Sequence, residues 1–215
     1  MIPLHQLLGL TRRARGSAGL RPVAALYVDV EKGPYAKLPG VDAWGEERDA
    51  RGYNEEHPVV AHPPCATWGK WKWRATGGAR EHSCGIYAVR QVRAHGGVLE
   101  HPSGSGLWAP TSEGGMGLPR PGEPPDQYGG WTLEVDQVRW GHPAQKRTWL
   151  YIVGLDPEDI GPLPPPRVPS KVIAPARGRA EEAIGRHLPK SQRHLTPPAF
   201  AKWLVDLARR TRAPG

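Results

Sequence analysis

The chain has 215 residues, 38% of them hydrophobic, with 29 Lys and Arg against 21 Asp and Glu, giving a net charge of +8 and a pI of about 9.8. That length suits one domain of ordinary size with its own core. Two cysteines exclude a disulfide-scaffold secreted protein and predict a reducing, cytoplasmic setting. No apolar run approaches the ~18 residues of a membrane span, and the apolar start Met1 to Leu10 is followed by Arg12-Arg13, not preceded by them as in a cleavable signal.

The surplus of positive charge favours a polyanionic partner, nucleic acid ahead of a membrane surface, with a solvated basic face as the ordinary alternative. The 27 Gly and 25 Pro imply long irregular connections. Nine Trp against one Phe supply flat stacking faces as well as core volume.

In chain order, Val23 to Asp29 is a buried-strand pattern ending in an acid, and His57 to Ala61 is a second, stopped by Pro63-Pro64. Gly85 to Ala94 carries Ile86, Ala88, Val89 and Val92 at helical spacing. Gly96-Gly97 ends that helix, and Val98-Leu99-Glu100 begins the next strand. Strand, loop, helix, strand predicts a βαβ unit, a parallel sheet and α/β layering. Ligands of such sheets sit at the carboxyl ends of strands, where Cys65 and Glu100 fall.

Residues 103–130 are a Gly/Pro-rich loop. Trp131 to Asp136 alternates as a half-exposed strand, and Thr148 to Val153 is another. From Leu155 to Lys190 the chain is Pro-rich and basic, with one short helix expected around Ala180 to Arg186. Thr196-Pro197-Pro198 opens a closing helix to about Arg210, with Thr as N-cap and Pro in the first turn. This gives an N-terminal extension (1–20), an α/β unit (21–155), a Pro-rich basic segment (156–192) and a C-terminal helix packing back on the sheet (193–215).

Three short segments carry chemistry: His62-Pro63-Pro64-Cys65, Glu100-His101-Pro102, and Gln145-Lys146-Arg147 leading into a strand. A pyrimidine C5 is a poor nucleophile until something adds at C6, and a thiolate beyond a strand end suits that addition. The bland reading of Cys65 is a small buried hydrophobe. A zinc reading pairs His62-x-x-Cys65 with His82-x-Cys84, but His-x-Cys is tight for two ligands on one ion, so no metal is expected.

Glu100 at a strand end suits a carboxyl that protonates or hydrogen-bonds N3 and accepts from the amino group of cytosine; a surface Glu is its bland alternative. Strand alternation puts Gln145 and Arg147 on one face, away from Lys146. Arg147 is then expected to hold the base or a phosphate, and Gln145 the loop carrying Cys65. Trp68, Lys70, Trp71, Lys72 and Trp73, with Lys146, form an aromatic and basic set suited to unstacked bases and phosphates; core tryptophans beside a solvated basic edge are the alternative.

Together these segments resemble the motifs of the DNA cytosine-5 methyltransferase family. His62-Pro63-Pro64-Cys65 is similar to its Pro-Cys loop, Glu100 stands where its Glu-Asn-Val begins, and Trp140-Gly141-His142-Pro143 through Gln145, Arg147 and Ile152-Val153-Gly154 is similar to its Gln/Arg strand. Thr196-Pro197-Pro198 resembles the segment opening its closing helix. The resemblance implies a reduced Rossmann-like methyltransferase sheet with a Pro-rich basic C-terminal segment and closing helix, in a short, divergent, phage-type member acting in the host cytoplasm.

It implies double-stranded DNA with a flipped cytosine as partner, catalytic roles for Cys65, Glu100, Arg147 and Gln145, and S-adenosylmethionine as donor. Asp29, Gly33 and Glu47 are the candidate cofactor residues, with Glu46 and Asp49 as alternatives to the last. The position of the family's Gly-rich cofactor loop holds one glycine, and the spacing to Cys65 leaves little room for second and third strands. Two alternatives follow: hypermodification of a pyrimidine with another donor, and a non-catalytic nucleic-acid-binding relative.

Overall fold

A computed structural model describes residues 19–69, 72–173 and 187–213. The elements in chain order are β1 (Val23–Leu26), β2 (Val41–Trp44), β3 (Val59–Ala61), α1 (Ala79–His95), β4 (Gly97–Pro102), β5 (Trp131–Asp136), β6 (Arg147–Val153) and α2 (Pro198–Arg210). The architecture is α/β: a six-stranded mixed sheet in the order β2-β1-β3-β4-β6-β5, with a helix on each face. Strands β2, β1, β3 and β4 run parallel, while β6 runs antiparallel to both β4 and β5.

The short apolar runs VAAL and VVA form central strands because both their faces are covered. Alternation divides their side chains between two cores. Val23, Ala25, Val60, Val98, Leu150 and Ile152 pack with Phe200, Leu204 and Leu207 of α2. Ala24, Leu26, Val59, Ala61, Leu99 and Val153 pack with Ala88, Val89 and Val92 of α1. The closing helix therefore lies against the sheet.

The structure differs from the sequence reading in several elements. The sheet is mixed, not all parallel, because β6 is inserted between β4 and β5. Strand β2 was not anticipated; its four half-buried residues VDAW include an acid and carry too little pattern. Helix α1 starts six residues before the predicted Gly85, since Arg80, Glu81, His82 and Ser83 make a polar first stretch with no apolar period. The N-cap of α2 is Pro197 and not Thr196, with no side-chain capping bond. The helix expected around Ala180 to Arg186 lies outside the described residues, as does nearly all of the N-terminal extension.

The chain runs from β1 to β2 on one side and returns to β3 on the other, so the strand order reverses between β1 and β3. The carboxyl ends of these strands flank a crevice of the kind where α/β sheets bind ligands. Tyr27 ends β1 at φ 60°, the left-handed region, and its hydroxyl donates to Gln91 Oε1 of α1 at 2.8 Å.

Gly97 begins β4 at φ +130°, and a Cβ there would stand 2.0 Å from the Val59 carbonyl oxygen of β3. Only glycine lets the two site-bearing strands approach at this point. Gly97→Ala is expected to destabilise the fold by about 3 kcal/mol or more in urea denaturation; a loss under about 1 kcal/mol would show that the strands part without cost.

Candidate functional site

The carboxyl ends of β3 and β4 bring His62, Cys65, Glu100 and His101 to one edge of the sheet. Beyond β3, His62 keeps the strand path, its N–H donating to the Leu26 carbonyl at 3.0 Å. Alternation continues from Val60, so the His62 side chain joins Glu100 on the α2 face. Its Nδ1 lies 3.0 Å from Glu100 Oε2, and its Nε2 contacts the hydroxyl of Tyr35. The other carboxylate oxygen, Oε1, accepts from Gln137 Nε2 at 2.9 Å. That amide also donates to Thr148 Oγ1 of β6 at 2.9 Å.

Glu100 is 8% exposed. Burial would raise its pKa, but the His62 hydrogen bond and electrostatic pull, helped by Lys146 and His101, prevail and bring it down to about 2. The group is a carboxylate at neutral pH. As a carboxylate the group accepts hydrogen bonds and has none to donate. Each of its oxygens accepts from one protein donor, Oε2 from His62 and Oε1 from Gln137, and so retains acceptor capacity.

His101, one residue on, points to the α1 face with Leu99 and is 1% exposed. Its Nδ1 is 2.7 Å from Ser105 Oγ. Burial lowers its pKa to about 4, against opposing pulls from Glu100 and from the Pro64 and Pro63 carbonyls that face its ring. A neutral ring facing two carbonyl acceptors carries its proton on Nε2 and accepts from Ser105 on Nδ1. Nε2 lacks the alignment of a full hydrogen bond. The two motifs are thereby cross-braced: His62 of the cysteine segment holds Glu100, and His101 of the glutamate segment faces the prolines that aim Cys65.

Cys65 is exposed and precedes a 3-10 turn, Ala66–Trp68. With His101, Gly69 and Ser103 to Ser105 it lines a hollow of about 110 Å3. At ~30 Å3 per water this is room for a few waters or one small ring, not for a nucleotide. A larger hollow of about 330 Å3 lies at the opposite edge, beside Gly154 and Arg210, away from these groups. Although the residue is exposed as a whole, desolvation by the atoms packed around its sulfur, followed by the negative charge of Glu100, pushes the Cys65 pKa up, while Lys146 opposes it. The thiol therefore rests protonated at neutral pH.

Lys146, and not Arg147, bears electrostatically on both Cys65 and Glu100. Its Nζ donates to the carbonyl of Leu195 at 3.2 Å. Arg147 pairs with Glu134 through Nε at 3.0 Å. Glu134 also accepts from Trp149 Nε1 at 2.7 Å and from Ser103 Oγ at 3.2 Å. Gln145 is exposed, and Gln137 is the glutamine that reaches the site. The cause is the pleat: the residues at the β6 entry alternate between faces, and Lys146 shares the Thr148 face.

Trp68 is 4% exposed and stacks on His82 with ring centroids 3.9 Å apart, so it is a core residue and not a stacking platform. Trp73 is 68% exposed and Lys72 is exposed. Lys70 and Trp71 lie outside the described residues.

The expected cofactor residues do not form a cradle. Asp29 Oδ1 accepts from the backbone N–H groups of Glu31 and Lys32, closing its own turn. Gly33 is required by that turn, since a Cβ would lie 2.3 Å from the Asp29 carbonyl oxygen. Glu47 is exposed beyond β2. These three residues therefore do not fit S-adenosylmethionine. Among the described residues no three His, Cys, Asp or Glu side chains are placed to share a metal ion, and no helix is long and apolar enough to cross a membrane.

Sequence reasoning missed Tyr35, His62 as a partner of Glu100, His101, Gln137 and Thr148. A His directly before Pro-Pro-Cys and another directly after the Glu were the available signals. Tyr35, Gln137 and Thr148 reach the cluster only through the fold. No family model, curated protein or solved structure matches the chain.

The raised thiol makes Cys65 slow to react at neutral pH. Alkylation of Cys65 by iodoacetamide, followed by peptide mass analysis, should rise close to tenfold per pH unit from ~7 to ~9 without levelling off. A rate that is already flat at ~pH 7 would contradict the placement of the sulfur.

Proposed function

We propose that the protein modifies C5 of cytosine in DNA, adding the Cys65 thiolate to C6 of an extruded base. The observation that carries this reading is convergence: segments far apart in sequence, the loop beyond β3, the end of β4 and the entry to β6, meet at one edge beside the reversal of strand order. Their order along the chain is that of the cytosine-5 methyltransferase motifs, and a mixed α/β sheet with this reversal is compatible with a Rossmann-like methyltransferase sheet.

In the proposed reaction the Cys65 thiol gives its proton to water, its sulfur forms a bond to C6, and the π pair of the C5=C6 bond moves onto C5 and into the ring. Glu100 accepts from the exocyclic amino group, a donor that uracil and thymine lack. Lys146 adds positive charge near the sulfur and the ring, which favours both the thiolate and the charge that addition develops. C5 then attacks an electrophile, its original hydron leaves to water, and the S–C6 bond breaks to restore the ring. A one-carbon donor such as S-adenosylmethionine would supply a methyl group, and Asp29, Gly33 and Glu47 do not form a site for it.

The net charge of +8 supports a nucleic-acid partner, with exposed Lys72 and Trp73 beyond the cysteine loop as candidate contacts. A second reading is favoured by the closed first loop and the protonated thiol: a nucleic-acid-binding module of the same ancestry without turnover.

One assay separates these readings without any donor. Addition at C6 makes C5 exchange with water, so duplex DNA deuterated at cytosine C5 should lose its label in the presence of the whole protein. Cys65→Ser should slow that loss at least ~100-fold. Binding without exchange would leave the module reading in place of the enzyme.

A further inference from the structure

Glu100 is enclosed by more groups than a carboxylate needs merely to be buried. Gln137 and His62 donate to its two oxygens. Lys146 faces it from the β6 entry, His101 from its own strand, and Cys65 from the loop beyond β3. Behind His62 stands Tyr35, fully buried in the α2-side core, with its ring 5.1 Å from the imidazole.

Hydrogen-bond accounting fixes the protons in this chain. An ionised carboxylate only accepts, so His62 Nδ1 carries a hydrogen toward Glu100. Burial, followed by the charge of Glu100, pushes the Tyr35 pKa well above its ordinary value, so the phenol keeps its proton. Among the described residues the hydrogen-bond partner of the Tyr35 hydroxyl is His62 Nε2. Hydrogen bonds therefore link the Tyr35 hydroxyl to His62 Nε2, and His62 Nδ1–H to the carboxylate.

We propose that Tyr35 and His62 form a positioning relay that holds Glu100 as an acceptor-only carboxylate, so that the site accepts an amino-bearing pyrimidine and rejects a keto one. Tyr35 lies outside the three sequence motifs, and the relay rests on the reading above only for what Glu100 meets. A neutral Glu100 could turn a hydroxyl toward the O4 of uracil; a carboxylate meets that oxygen with repulsion. Tyr35 acts through His62, and His62 acts through Glu100. Neither touches the ring in this account.

The test begins on the unmodified full chain. Nitrogen-15 NMR of His62 at neutral pH should show a protonated Nδ1; a bare Nδ1 overturns the relay. Carbon-13 NMR of the Glu100 carboxyl should show an ionised group down to the lowest pH at which the protein stays folded. His62→Leu should move that titration up by ~2 units or more, while His62→Asn, which keeps a donor near the Nδ1 position, should move it less. Tyr35→Phe removes one hydroxyl only and should move the nitrogen-15 shift of His62 Nε2, which loses its hydrogen bond, while Nδ1 stays protonated; should His62→Leu not fold, this variant decides.

An unchanged Nε2 shift in Tyr35→Phe, or an unchanged Glu100 titration in His62→Leu, would overturn the proposal. Deuterium loss from C5 should occur in deoxycytidine and not in deoxyuridine of the same duplex, and His62→Leu should narrow that preference at least ~10-fold. Equal loss from both by the unmodified protein overturns the selectivity. Loss from neither, with the NMR as expected, refutes the proposed reaction and leaves the relay standing.

Discussion

The contact between His62 and Glu100 organises this edge of the molecule. It joins the ends of two neighbouring parallel strands by side chains where the backbone ladder stops, and it does so with a carboxylate that is almost wholly withdrawn from water. Such a charge is tolerated only when its oxygens are supplied with donors. The supply comes from His62 of one strand end and Gln137 from beyond β5. Three separated stretches of chain must therefore be in register for one group to be buried, and register at this edge is fixed by electrostatics as well as by packing.

From that contact the rest of the site follows. Once His62 and Glu100 share the α2 face, the pleat sends His101 to the other face, where it meets the prolines before Cys65 and the Ser105 hydroxyl. The same pleat puts Lys146 on the Glu100 side of β6 and sends Arg147 to Glu134. Glycine at 97 permits β4 to lie close enough to β3 for both histidines to reach across. Cys65 is then an exposed residue whose thiol is aimed but not activated, since desolvation around the sulfur and the Glu100 charge both favour its proton.

Much of this was legible in the residues. Strands β3, β4, β5 and β6 announce themselves by apolar runs and alternation, and Pro-Pro after β3 marks the loop that carries Cys65. The pairing of Cys65 with Glu100 at strand ends follows from the βαβ pattern alone. What was illegible had identifiable causes. Strand β2 is four residues long and half-buried, so it lacks a pattern. Trp68 reads as a surface aromatic among lysines, yet its partner His82 lies on a helical turn with no apolar period. The face taken by Arg147 depends on where β6 begins, and the strand starts at Arg147 itself. Tyr35 and Gln137 enter through tertiary proximity, which no local spacing encodes.

The most direct measure of the central interaction is a double-mutant cycle in urea denaturation with His62→Ala, Glu100→Gln and the pair. Because His62 compensates a buried carboxylate, removing it should be far more costly while Glu100 is present, giving a coupling of about 2 kcal/mol or more. Additivity within about 0.5 kcal/mol would mean that the two side chains are neighbours without dependence, and the account built on them would be wrong.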